Sequence, residues 1–131
     1  MSDWIKGKVF DKIYWNKETF SLVVNAPIEE YQAGQFAKLS LITDQNKRIS
    51  RAYSFVNSPN YLLHEFLIKT VNNGKLTPLL NKLDIGDEIY ISNKSNGFFT
   101  PKHIPNSKNL WMLSTGTAIG VCVFSGSVIC I

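Results

Sequence analysis

From Trp4 to Ser92 the apolar side chains recur mostly at every second position, in short runs separated by turn residues. A strand shows successive side chains to opposite faces, so a period of two describes strands with one face buried and one solvated, as in an antiparallel sheet. Between Trp4 and Trp15, Ile5, Val9 and Ile13 share a face with Gly7 and Asp11, while Lys6, Lys8 and Lys12 share the other. Asn16-Lys17-Glu18 is a turn and Phe20-Ser21-Leu22-Val23-Val24 the returning strand of a hairpin. Asn25-Ala26-Pro27 closes that strand, because proline cannot continue a central ladder. Ala33-Gly34-Gln35-Phe36 leads into a third strand through Leu39, Leu41 and Ile42, and Thr43-Asp44-Gln45-Asn46 turns again. Ile49 opens a fourth strand that carries Arg51, and Leu62–Val71 is a fifth, ended by Asn72-Asn73-Gly74.

The period then changes. Leu76, Leu79, Leu80 and Leu83 stand at i, i+3, i+4 and i+7, the mark of a short amphipathic helix, with Thr77 as its cap and Pro78 in its first turn. Asp84-Ile85-Gly86-Asp87 turns into a sixth strand, Glu88–Ser92, and Asn93 to Asn109 is loop. Short strands with one helix inserted before the last predict a mainly β fold, a six-stranded antiparallel barrel whose open end the helix plugs. Leu110-Trp111-Met112-Leu113 is continuously apolar, as in a strand buried on both faces of a parallel sheet. A second, α/β unit is therefore expected to begin near residue 109.

With 131 residues, 44% of them apolar and 18% charged, the chain suits one ordered domain, or a domain plus a fragment. The net charge of +4 rests on scattered lysines without aromatic interleaving, which argues against nucleic acid as a partner. The start Met1-Ser2-Asp3-Trp4 has neither the basic nor the apolar region of a signal peptide, and no apolar run approaches the ~18 residues of a spanning helix. Cys122 and Cys130 both lie near the end and form no disulfide framework or metal spacing. His64 and His103 lack ligand-like neighbours and are expected at the surface or half-buried. The expectation is a cytoplasmic, metal-free protein away from membranes.

Two stretches carry candidate chemistry. In Arg51-Ala52-Tyr53-Ser54 a strand places Arg51 and Tyr53 on one face, Ala52 and Ser54 on the other. A fixed cation beside an aromatic ring suits an anionic ligand that carries a flat ring, although a solvated strand whose tyrosine shields its arginine has the same pattern. In Gly74-Lys75-Leu76-Thr77 a glycine turn feeds a helix start whose amides favour anions, although an ordinary capped helix reads alike. A barrel brings the two together, and two cationic elements on one site fit a pyrophosphate. Thr115-Gly116-Thr117-Ala118-Ile119-Gly120, at the end of the apolar run, is either a glycine loop over a nucleotide or a helix-packing motif. Gly97-Phe98-Phe99 is read as a turn burying two rings against the barrel. No Ser/His/Asp or Cys/His grouping supports nucleophilic catalysis.

Nearly continuously over residues 1 to 120, the chain resembles the bacterial ferredoxin/flavodoxin–NADP(+) reductases. The resemblance rests on Asp3-Trp4, Gly7-Lys8-Val9, Ala33-Gly34-Gln35-Phe36, Arg51-Ala52-Tyr53-Ser54, Val56-Asn57-Ser58-Pro59, Gly74-Lys75-Leu76, Gly86-Asp87-Glu88, Gly97-Phe98-Phe99 and Leu110-Trp111-Met112-Leu113. It implies an FAD-binding barrel (residues 1–105) followed by an NADP-binding α/β unit, of which 109–131 would be a stub. It implies that Arg51 pairs with the FAD pyrophosphate, that Tyr53 stacks on the isoalloxazine, and that the Ser54 hydroxyl lies near the atom accepting hydride, making Tyr53 and Ser54 the catalytic pair. Ala52, the backbone of Lys75, Leu76 and Thr77, and the segment Leu67, Ile68 and Lys69 would also contact the cofactor, and Thr117 would approach from the second unit. The implied reaction is an oxidoreductase one, passing electrons from NADPH through FAD to ferredoxin or flavodoxin, an acidic electron-transfer protein, with the reductase a monomer. A related flavin reductase, a non-enzymatic FAD-binding barrel and an inactive decay product are the alternatives. Past Gly120 the family pattern stops: residues 121–131 carry no charge and both cysteines, which suggests a reading-frame change or truncation, a tail that is disordered, aggregation-prone or packed as an add-on, and a chain that by itself does not turn over NADPH efficiently.

Overall fold

The computed structural model describes residues 3–123. Six strands form one antiparallel sheet: β1 (Trp4–Tyr14), β2 (Thr19–Asn25), β3 (Phe36–Ile42), β4 (Arg48–Ser54), β5 (Leu63–Lys69) and β6 (Glu88–Ser92), with α1 (Thr77–Asn81) inserted between β5 and β6. The order across the sheet is β4-β3-β6-β1-β2-β5. A bridge between Phe55 and Phe66, and a bond from the Val56 amide to the Glu65 carbonyl (2.9 Å), join its two ends into a barrel. The inward faces pack one core around Phe20, Leu22, Leu39, Phe66, Ile68, Ile89 and Ile91, and α1 pushes Leu76 and Leu80 into its end. The mainly β barrel with a helical plug is thus as the alternation implies.

Register departs from the simple alternation in β1. Val9 pairs with Val24 but Asp11 with Val23, so Phe10 is a bulge and every later side chain changes face. Ile13, expected inside, is turned outward, and Lys12 points in opposite Leu22. The inward lysine is tolerated because it is satisfied. Its ammonium donates to the carbonyls of Asn81 and Leu83 (2.9 Å for Leu83), closing the end of α1, and lies 5.3 Å from the Phe20 ring centroid. The other end of α1 also corrects the expectation. Thr77 does not cap the helix; its hydroxyl accepts from the Val71 amide (2.8 Å) and holds the end of the β5 segment instead.

His64 is wholly buried rather than at the surface or half-buried. Its Nε2–H donates to the Ala26 carbonyl (2.8 Å), which leaves Nδ1 to accept from the Tyr31 hydroxyl (3.2 Å), so both nitrogens are paired. Tyr31 in turn stacks on Phe55, with centroids 3.7 Å apart and planes 9° apart.

Beyond β6 the expectations fare differently. Phe98 and Phe99 are 81% and 61% exposed, so neither ring is buried against the barrel. It is the backbone that packs there: a Cβ on Gly34, whose φ is +91°, would stand 1.6 Å from the Phe99 carbonyl oxygen. Leu110–Leu113 is not a strand. A parallel-type strand needs neighbours on both edges and cover on both faces, and none of the six barrel strands pairs with it. The chain then makes a 3₁₀ turn at Gly116–Ala118 and the short helix α2 (Ile119–Val123), with Cys122 buried. The rest of the tail, Cys130 included, lies outside the described residues. Among the described residues no helix is long and apolar enough to cross a membrane, and no group of three or more His, Cys, Asp or Glu could hold a metal ion.

Candidate functional site

β4 is an edge strand, laddered only to β3. Tyr53 pairs with Ala37, Arg51 with Leu39 and Ile49 with Leu41, so these side chains share the face of the core-lining residues of β3. Ala52 and Ser54, opposite Lys38 and Phe36, face outward. The strand therefore separates its candidates as the alternation predicts. A ligand that meets both the Tyr53 ring and the Ser54 hydroxyl has to lie across the strand edge, not on either face.

Arg51 and Arg48, three residues apart, are used differently. Arg48 lies on the outer face between two rings, its guanidinium carbon 4.8 Å from the Trp4 centroid and 4.6 Å from that of Tyr90, and it donates to the Ser40 hydroxyl (3.2 Å). Arg51 is exposed and donates to the carbonyl of its neighbour Ser50 (2.7 Å). Tyr53 is half-buried against the core, and burial raises its phenol above the usual tyrosine range while the Arg51 charge pulls it down.

The inward face of β4, the β3–β4 turn and the start of α1 enclose a groove of about 1000 Å³. Leu41, Ile49, Leu79 and Leu83 give it an apolar floor, and Lys47, Arg51 and Lys75 line it opposite the lone carboxylate of Asp44, the Arg48 guanidinium being held on the outer face. None of these charged groups is in an ion pair among the described residues. Arg51 and Lys75, far apart in the chain, are thus brought to one positive groove. At the helix start the first amide bonded back is that of Leu80, to Leu76, so the amides of Leu76 and Thr77 have no acceptor within the helix. The Leu76 side chain points into the core, as does that of Ile68, so either could meet a ligand only through its backbone. Leu67, on the opposite face from Ile68, is half-buried, and Lys69 is exposed at the end of β5.

The glycine loop reaches a different part of the barrel. Gly120 is buried against the seam, where a Cβ would stand 2.9 Å from Cγ2 of Val56 and 3.7 Å from Cβ of Leu67. Only hydrogen fits there, and this contact lays the turn holding Thr117 beside β5. Thr117 is exposed and does not line the groove of Arg51 and Lys75. The candidates therefore form two groups, one in the groove and one at the β5 seam, connected by the edge of β4 from Arg51 to Ser54.

A family model described as "Oxidoreductase FAD-binding domain" matches residues 8–98. The chain belongs to this family. The flavodoxin/ferredoxin–NADP reductase of Escherichia coli (strain K12) is 48% identical over 120 residues, which is 92% of this chain and 48% of that protein. The enzyme of the same name from Buchnera aphidicola (subspecies Schizaphis graminum) is 46% identical over 128 residues, covering 92% of this chain and 50% of its own length. Among solved structures, a ferredoxin NADP+ reductase from Neisseria gonorrhoeae with bound FAD and NADP superposes with a TM-score of 0.87 at 25% identity, over 94% of this chain and 50% of that one. The chain spans about half the length of the curated relatives it matches.

In this FAD-binding domain, two residues matter to the site that their types and spacing did not single out. Arg48 resembles Arg51 in sequence and is set apart only by the rings of Trp4 and Tyr90, which come from β1 and β6. Asn57 stands in the turn before Pro59 and looks like turn chemistry, yet its carboxamide bonds to β5.

Proposed function

We propose that this chain binds FAD along the edge of β4 and serves electron transfer between NADPH and ferredoxin or flavodoxin. The observation that carries the reading is the groove that Arg51 and Lys75 both line above an apolar floor, neither of them in an ion pair among the described residues. Its donors suit the group: a guanidinium and an ammonium match a pyrophosphate, one as a planar fork and one as a mobile point charge. Its volume of about 1000 Å³ is of the size that takes a nucleotide. From Arg51 to Ser54 the strand runs about 10 Å, so a ligand extended along its edge reaches from the groove to the seam where Thr117 lies.

In this reading Arg51 and the amides of Lys75, Leu76 and Thr77 hold the pyrophosphate. Tyr53 backs the flavin ring, the Ser54 hydroxyl stands at its edge, Leu67, Ile68 and Lys69 border it through their backbone, and Thr117 closes it from the other side. Bound flavin supplies two-electron chemistry on one side and one-electron chemistry on the other; the chain supplies orientation and electrostatics. Residues 1–105 make the cofactor barrel, and 109–131 belong to a second, NADP-binding unit. The excess of cations about the groove favours an acidic partner, and the reductase acts as a monomer in the cytoplasm.

The test starts with the visible spectrum of the purified chain and its titration with FAD. Arg51→Ala is expected to weaken FAD binding by about 1.5–3 kcal/mol, the worth of a charged hydrogen bond, with an unchanged far-ultraviolet circular dichroism spectrum. Unaltered affinity would remove the pyrophosphate role. Bleaching of bound flavin by NADPH then separates a reductase from a barrel that only binds.

A further inference from the structure

β4 and β5 are the outermost strands of the sheet order, and the barrel closes between them over a short seam. Its backbone part is the Phe55–Phe66 bridge and the bond from the Val56 amide to the Glu65 carbonyl (2.9 Å). Asn57 extends it with its side chain. Its Oδ1 accepts from the Glu65 amide (2.9 Å), and its Nδ2 donates to the carbonyls of Leu63 (2.8 Å) and Ser58 (3.0 Å). The carbonyl of Leu63 and the amide of Glu65 flank His64 on the free edge of β5, and they are groups that the backbone of an added strand would take. A carboxamide can take both because its donor and acceptor stand side by side in one plane; aspartate lacks the donor.

Past Phe66 the seam ends. Leu67–Lys69 is laddered to β2 and Arg51–Ser54 to β3, and no ladder joins the two. What remains is a notch between two strand edges, closed by the Phe55–Phe66 bridge, with Asn57 fastening the far end of the same seam. Val56, next to Asn57, bonds Glu65 through its amide and carries Gly120 on its side chain. A slip at Asn57 would thus move both walls of the notch: the β4 side with Tyr53 and Ser54, and the loop that bears Thr117.

We propose that Asn57 is a positioning residue for the flavin, setting the width of the notch in which the ring sits by anchoring the exit of β4 to β5. This rests on the reading that the notch holds a flavin, and it concerns the ring end alone. Asn57→Asp keeps the size and the acceptor but turns an oxygen toward the Leu63 and Ser58 carbonyls. In the full chain it is expected to lower FAD affinity about tenfold or more, roughly the cost of one unsatisfied half-buried pair, and to reduce the visible circular dichroism of the bound ring. ADP, which needs only Arg51 and Lys75, is expected to bind within about twofold of wild type, since distant and independent sites add. In the flavin-free variant, amide exchange at Val56 and Glu65 should speed up while Leu22, at the centre of β2, keeps its protection. FAD affinity and ring spectrum both unchanged would overturn the proposal, as would FAD and ADP binding lost together. Should the variant not fold, the wild-type side-chain amide protons of Asn57 decide. They should exchange slowly and shift on adding FAD but not ADP; fast exchange, or no shift, overturns the positioning role. A wild-type chain that binds no FAD removes the flavin reading itself and this role with it, whereas binding that is indifferent to Asn57 removes this role alone.

Discussion

Ile89 and Ile91 of β6 are wholly buried, whereas Leu110, Trp111 and Leu113, in a run just as apolar, are 52%, 76% and 91% exposed. The difference lies in neighbours rather than in side chains. β6 is laddered to β1 on one edge and to β3 on the other, so its amides and carbonyls are paired and its inward residues meet a core. Residues 110–113 are not among the strands of the sheet. Burying an aliphatic side chain stabilises by roughly 1.5–3 kcal/mol, but burying a strand's unpaired peptide groups costs about as much for each group. Apolar runs become strands where a partner edge exists to take both.

The largest effect that tests this comparison belongs to the barrel. Ile91→Ala is expected to cost about 2–5 kcal/mol in chemical denaturation, the range for a large aliphatic removed from a packed core. A cost below that of a surface change would mean that the barrel interior is no better packed than residues 110–113.

A second contrast sets His64 inside the barrel against the exposed His103 beyond it. Burial holds the His64 imidazole below its ordinary range, and the hydrogen bond to the Ala26 carbonyl offsets only part of this. The folded state thus favours the neutral ring, and between the folded pKa and the ordinary histidine value the unfolded chain binds more protons. The contribution is fully present above about pH 6.5, the unperturbed histidine value, and is lost as pH falls from there through the folded pKa. Denaturation midpoints should decline over this window in wild type and flatten in His64→Gln. An equal slope in both would assign the decline to other groups.

The smallest effect is expected outside the barrel. Leu113→Ser should change stability by no more than about 0.5 kcal/mol, as at a surface position free of special contacts. A loss comparable to that of Ile91→Ala would show that residues 110–113 are buried in solution, and the contrast would collapse.

Much of the barrel was legible because it depends on local pattern. Period-two runs mark the strands, turn residues mark their ends, and the spacing of Leu76, Leu79, Leu80 and Leu83 marks α1. The bulge at Phe10 was hidden, because one extra residue leaves composition unchanged and shows only against Val23 and Val24 of the partner strand. It decides that Lys12 and not Ile13 enters the barrel. The cap expected of Thr77 failed for a related reason: its hydroxyl found Val71, which the fold of the preceding turn brings close. In the candidate site, Arg51, Tyr53, Ser54 and Lys75 could be picked out by type, and the faces of β4 by alternation.

By itself the sequence determined the number of strands and their succession along the chain, the place of the helix and the residues that suit an anion and a ring, because these follow from periods of two and 3.6 and from side-chain type. Tertiary structure alone decided which arginine is available, since only packing puts Trp4 and Tyr90 about Arg48 and leaves Arg51 on the groove. It also decided how the barrel is closed, because the carboxamide of Asn57 extends the seam only when β5 presents the groups on either side of His64. Both outcomes depend on residues distant in the chain meeting in space, which no local pattern records.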